Sequence, residues 1–150
     1  MPAPFTIRIM IWQEALPLAR PVRERVFIDE QSVPRELEWD AWDEASDHAV
    51  ALDKDGNPIG TARLLPDGRI GRMAVLKEWR GKGVGAALLA AMLGRARERS
   101  MPCALLHAQI QAAGFYRRFG FSERGEEFEE AGIPHVEMTL DLSPRGPAGS

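Results

Sequence analysis

Residues 79–89 read WRGKGVGAALL. Gly81, Gly83 and Gly85 stand at alternate positions, with Arg80 before the first and Lys82 between the first two, and an apolar, helix-like run follows at once. Glycine loses more freedom on ordering than any other residue and brings no side chain to pack. A helix start gives such a turn a purpose, because its first N–H groups lack intrahelical partners and the dipole there is positive. Bared backbone donors flanked by two cations suit a phosphate. The stretch formally matches the dinucleotide pattern G-x-G-x-x-G/A at Gly81, Gly83 and Ala86. Its surroundings oppose that register. LKEW and Arg80 separate the turn from the strand before it, and LLHAQIQ offers no carboxylate where a ribose would need one. A Walker loop is excluded, since no Gly-Lys-Ser/Thr is present.

Other reactive types are few. Tyr116 is the one tyrosine, and taken alone it reads as a core residue with a satisfied hydroxyl. His107 lies in the apolar run CALLHA, the setting of a buried, satisfied histidine, and His135 follows Pro134. Cys103, the one cysteine, cannot form an internal disulfide and reads as a buried small hydrophobe. Residues 29–47 hold Asp29, Glu30, Glu36, Glu38, Asp40, Asp43, Glu44 and Asp47 against Arg35 alone. Such a run is a solvated face or a rim that attracts a cation.

The elements that must position these residues can be read from periodicity. Phe5, Ile7, Ile9 and Ile11 alternate with polar residues or methionine, as in a strand. A helix is predicted within residues 14–30, with Pro17 and Pro21 in or before its first turn, because an interior proline breaks the ladder. Val22, Val26 and Phe27 share its apolar face. Residues 48–75 read as three strands punctuated by DKDGNP and PDG. A helix runs from the glycine turn to about Arg99, followed by the strand CALLHA, the short helix AAGFYRRF and a last strand HVEMTLDL. The order is strand, helix, three antiparallel strands, helix, strand, helix, strand, which is a mixed α/β pattern with no regular βαβ alternation.

The 150 residues suit one domain, expected over 1–142 with a flexible tail at 143–150. A net charge of −3 argues against a general nucleic-acid binder. No run approaches a membrane span, and Arg8 interrupts the N-terminal apolar stretch, which is not read as a signal peptide. A cytoplasmic protein without a metal site is expected.

Registered instead on Arg80, Gly83 and Gly85, the turn is R-x-x-G-x-G, and RMAVLKEWRGKGVGAALL closely resembles the core motif of the GNAT superfamily of N-acetyltransferases. QIQAAGFYRRFGF resembles the family's second motif at Ala112, Phe115, Tyr116, Gly120 and Phe121, with Gln109 where the family usually has asparagine. The resemblance spans about residues 5–142. VFIDEQSVP and AGIPHVEM are similar to a branch of small bacterial acetyltransferases.

The resemblance implies a central, mostly antiparallel sheet, flanked by helices, whose fourth and fifth strands splay. It implies acetyl-CoA as cosubstrate: its pantetheine arm lies as a pseudo-strand along Met73, Ala74 and Val75, and its pyrophosphate is held by Arg80, Gly81, Lys82, Gly83, Val84, Gly85 and Ala86. Gln109 and Phe115 complete the cofactor contacts. Tyr116 matches the family's general acid for the leaving thiolate. The base stays open. Many relatives carry a glutamate shortly before the A-V of the fourth strand, where this chain has Gly71 and Arg72. Glu30, Glu38, His107 and His135 are the candidates, beside a water chain. The acidic segment, with Trp39 and Trp42, falls on the acceptor side, which suits a cationic amine, and pairing into homodimers is common in the family. The missing glutamate also sustains an alternative, a non-catalytic acyl-CoA-binding module.

Overall fold

The computed structural model describes residues 4–33 and 41–143. The chain forms β1 (Phe5–Met10), α1 (Trp12–Arg23), a π-helical segment (Glu24–Glu30) and a short α2 (Trp42–Ala45). Then come β2 (Asp47–Asp53), β3 (Pro58–Leu64), β4 (Arg69–Val75) and α3 (Val84–Glu98). β5 (Cys103–Gln109), α4 (Ala113–Arg118), β6 (Ser122–Glu130) and β7 (Ile133–Asp141) complete it. The strands make one sheet in the order β1-β2-β3-β4-β5-β7-β6. Every neighbouring pair is antiparallel except β4 and β5.

Two hairpin turns lie where the sequence places them. Asp53 Oδ1 accepts the Asp55 and Asn57 amides in the first, and Leu65 N–H bonds the Arg69 carbonyl in the second. In the core, Val84, Leu88, Leu89, Met92, Leu93 and Ala96 of α3 are buried with Ile59, Leu64, Ile70 and Leu106 of the sheet. Gly60 sets how closely α3 approaches. A Cβ there would lie 3.0 Å from the side chains of both Val84 and Leu88. Bare backbone at that point lets the start of α3 rest on β3.

Three expectations are corrected. A seventh strand, β6, is added; its sequence SERGEEFEE has no alternating apolar residues, because nearly the whole strand is exposed. Helix α1 begins at Trp12 and contains both prolines. Pro17 and Pro21 lie on its exposed side, so the carbonyls that lose an N–H partner face solvent, while Ala15, Ala19 and Val22 are buried opposite. Cys103 is exposed, since β5 alternates and buries Ala104, Leu106 and Ala108 instead. No helix among the described residues is long and apolar enough to cross a membrane. Residues 144–150 of the expected tail lie outside the described residues.

Candidate active site

The sheet opens at its one parallel pair. β4 and β5 are joined only at Arg69–Leu105 and Ile70–Leu106. The cause lies in β4. Between the pairs Thr61–Ala74 and Arg63–Gly71, β4 takes one residue more than β3, and Arg72 sits there at φ 47°. A bulge bends its strand and sharpens the local twist, and here it coincides with the point where β4 leaves β5. The backbone of 71–75 therefore has no strand partner on that side. Leu76 N–H bonds the Ile59 carbonyl toward β3. Strand alternation turns the polar groups of Val75 the other way, and its carbonyl accepts Arg80 Nε at 3.0 Å.

The glycine turn abuts the far end of β4. Gly81 and Gly83 have φ of 77° and 86°, a region that L side chains avoid. A Cβ on either would meet nothing within 4 Å, so the space over the turn is open. Gly85 is already helical, and a Cβ there would touch Phe115 at 3.8 Å and Val75 at 3.9 Å. No side chain caps α3, whose N-cap is Gly83. Lys82 Nζ stands 5.8 Å from the Trp79 ring centre. An open, cation-flanked helix start fits a pyrophosphate. Arg80 also lies 2.9 Å from the Glu30 carboxylate, which the π-helical segment brings to the turn.

Where the two halves part, a cleft of about 650 Å³ is lined by Phe27, Arg72, Met73, His107, Gln109, Tyr116, Glu130 and His135, among others. The Tyr116 hydroxyl has no hydrogen-bond partner among the described residues, and burial pushes its pKa up to about 12. The ring is held edge-on to Phe115 and Phe121, at 5.1 and 6.1 Å. Gln109 donates to Gln31 at 3.1 Å and accepts from Gln111 at 2.6 Å. His107 Nδ1 is 2.8 Å from Glu130 Oε1, and its Nε2 is 3.8 Å from Glu137 Oε1. His135 Nδ1 donates to the Ile133 carbonyl at 2.6 Å, and its Nε2 is 3.8 Å from Glu130 Oε2.

The structure thus brings Tyr116, His107, His135, Gln109 and Met73 to one cleft, and places Glu30 beside Arg80, off the cleft lining. Glu38 and Trp39 lie outside the described residues. Trp42 lines the cleft, half exposed. Of the described acidic residues of that segment, Asp29 and Glu44 are exposed and three are engaged by arginines. Asp43 is buried between Arg23 (2.8 Å) and Arg63 (3.1 Å). Asp47 takes Arg99 at 2.6 Å and Arg95 at 3.2 Å, and Glu30 faces Arg80. Sequence reasoning missed Glu130 and Glu137. Glu130 lies on the unread strand, and Glu137 only in its register with His107 shows any relation to the site.

A mixed sheet parted at its single parallel pair, with an open helix start at the parting, is a frame suited to an acyl-CoA, and the family model that the chain matches is one of acyl-CoA-dependent acyltransferases. Residues 13–142 match the family model for the acetyltransferase (GNAT) domain, and the chain belongs to that family. It is 39% identical over 133 residues to the uncharacterized N-acetyltransferase YjcF of Bacillus subtilis (strain 168), covering 86% of this chain and 94% of that one. Among solved structures it is similar to an acyl-CoA N-acyltransferase from Pseudomonas aeruginosa, with a TM-score of 0.81, 28% identity, and coverage of 90% of this chain and 98% of the other. It is also similar to Escherichia coli ElaA, with a TM-score of 0.82, 26% identity, and coverage of 91% and 99%.

Proposed function

We propose that this chain moves an acetyl group from acetyl-CoA to a primary amine by direct attack, with both substrates bound together. The observation that carries this reading is the meeting of Tyr116, His107 and the unpartnered backbone of β4 at one cleft. Residues 81–86 and the start of α3 would hold the pyrophosphate, with charge from Arg80 and Lys82. Met73 and Val75 would offer backbone groups to the pantetheine arm, with Ala74 between them turned to β3, and Gln109 and Phe115 would bound that arm.

Acetyl-CoA supplies the thioester. His107 accepts a proton at Nε2 from the arriving ammonium, which frees the nitrogen lone pair. His107 is preferred to His135 because it is the more accessible ring, at 27% against 8% side-chain exposure, and carries a carboxylate near each nitrogen. The backbone N–H of Met73, which of Met73 and Val75 is the one that lines the cleft with Tyr116 and His107, polarises the carbonyl. As the nitrogen–carbon bond forms and the carbon–sulfur bond breaks, Tyr116, as general acid, donates its O–H to the departing sulfur. The nitrogen gives up two protons in all, one to His107 before attack and a second, after the nitrogen–carbon bond forms, that restores the Tyr116 hydroxyl. The sulfur gains one, and His107 returns its own to solvent, so the products are the amide, the free thiol and one released proton.

The test pairs a thermal-shift series (acetyl-CoA, CoA and NAD) with free-thiol release across a panel of amines. Stabilisation by acetyl-CoA and CoA, together with thiol release on at least one amine, is expected. Stabilisation without thiol release on any amine would favour the binding-module alternative. Stabilisation by NAD alone would overturn the cleft assignment.

A further inference from the structure

We infer that Glu130 is a positioning residue of the proton-accepting step, holding His107 in the tautomer that leaves Nε2 bare. This inference rests on the amine-acetylation reading above. Glu130 is the last residue of β6, and three strands bring it to the site. Register pairs His107 of β5 with Glu137 of β7, and Phe128 of β6 with His135 of β7. Phe128 stands edge-on to the His107 ring at 4.9 Å and fixes its plane.

The tautomer follows from donor and acceptor chemistry. An ionised carboxylate only accepts hydrogen bonds, so the 2.8 Å contact puts the His107 proton on Nδ1. Nε2 then carries the lone pair. When it takes a proton, the ring meets Glu130 at one nitrogen and Glu137, 3.8 Å away, at the other. The remaining charged neighbours are Arg124 of β6, 3.9 Å from Glu137, and His135, facing the second oxygen of Glu130. His135 is held differently. Its Nδ1 proton is fixed by the Ile133 carbonyl, so its tautomer does not depend on Glu130. One carboxylate thus serves the accessible imidazole directly and leaves the buried one as an internal control.

The experiment is nitrogen-15 NMR of the histidine side chains in the full chain, at a pH where the imidazoles are neutral, beside steady-state acetyl transfer. In the wild type His107 is expected as the Nδ1–H form. In Glu130→Ala it is expected to move toward the Nε2–H form that a free imidazole prefers, while His135 is unchanged. With it kcat falls at least about tenfold, and KM for acetyl-CoA holds. Glu130→Gln keeps an acceptor oxygen for Nδ1 but not the charge, so it should retain the wild-type tautomer and lie between the two in kcat. Glu130 is half exposed, so the variants should fold, and an unchanged melting temperature would separate this role from a structural one. A wild-type His107 in the Nε2–H form, a tautomer indifferent to Glu130→Ala, or an unaltered kcat in that variant would each overturn the inference. The NMR arm needs no acceptor, so failure to acetylate any amine would count against the acetyl-transfer reading while the tautomer still decides the role of Glu130.

Discussion

Burial lifts the Tyr116 phenol from an ordinary 10.0 to about 12. The hydroxyl is therefore protonated throughout the neutral range and always able to donate. The same shift limits how far the proton moves, since an ordinary thiol ionises near 8.5. A thiolate is a good enough leaving group to depart with partial help. Tyr116→Phe should lower kcat by about a hundredfold, the lower end of acid–base effects, and leave the affinity for acetyl-CoA unchanged; single-turnover kinetics beside calorimetric titration would check both halves. Full activity in that variant would remove Tyr116 from the acid role. At this scale the sequence was legible where a residue sat in a motif. Tyr116, in a motif, and His107, one of four open candidates for the base, both line the cleft, but Glu130, 2.8 Å from His107, went unread because it is one of several glutamates in a strand with no apolar rhythm.

Elements explain why some motif residues tolerate change and others do not. Gly83 combines a left-handed backbone with open space above it. Gly83→Val should cost about 1–2 kcal/mol from the backbone alone and cover the N–H groups of the helix start. A folded protein without measurable CoA binding is expected, by circular dichroism and calorimetry; normal CoA affinity would contradict the phosphate assignment. Gly85→Ala, by contrast, meets only ordinary contacts with Phe115 and Val75. The helices and the buried strands were legible because their apolar spacing follows burial. The prolines of α1 misled: both lie inside the helix, and their cost is met because the carbonyls left without an N–H partner are on the solvent side, where water can bond them. The bulge at Arg72 left no trace in the sequence either. An arginine at positive φ carries no signature there, yet it marks where β4 parts from β5.

At the scale of the molecule, Asp43 ties α1 and α2 to β2 and β3. Burial alone would raise its pKa, but the hydrogen bonds and charge of Arg23, with those of Arg63, outweigh it and hold the carboxyl below the ordinary 3.8. Its backbone carbonyl also holds His48 Nε2 at 2.8 Å. Burial, the largest influence on His48, keeps that ring below the ordinary 6.5. The two signs agree. Below about pH 6.5 the unfolded chain protonates His48 before the folded one does, so stability falls on acidification. Below about pH 4 the same holds for Asp43, whose contribution is complete above that range and lost as pH falls through the folded value. Urea midpoints should decline in two steps, and His48→Gln should abolish the first; a flat profile from pH 7 to 5 in the wild type would refute the assignment. Asp43→Asn removes the buried carboxylate charge that Arg23 and Arg63 share and should destabilise by about 3–5 kcal/mol.

An open sheet ordinarily has two edges to defend against a stray strand. This one has a further edge in its interior, along residues 71–75 of β4, created where the parallel pairing stops. The outer edge at β6 carries Glu123, Arg124, Glu126, Glu127 and Glu129, a charged fringe that discourages the strand of another chain. The interior edge has no such fringe past Arg72, since Met73, Ala74 and Val75 are apolar. It is recessed between the two halves of the sheet, so what can add to it is a single slender chain. The protein is thereby protected from aggregating through the strand surface that it leaves open for use.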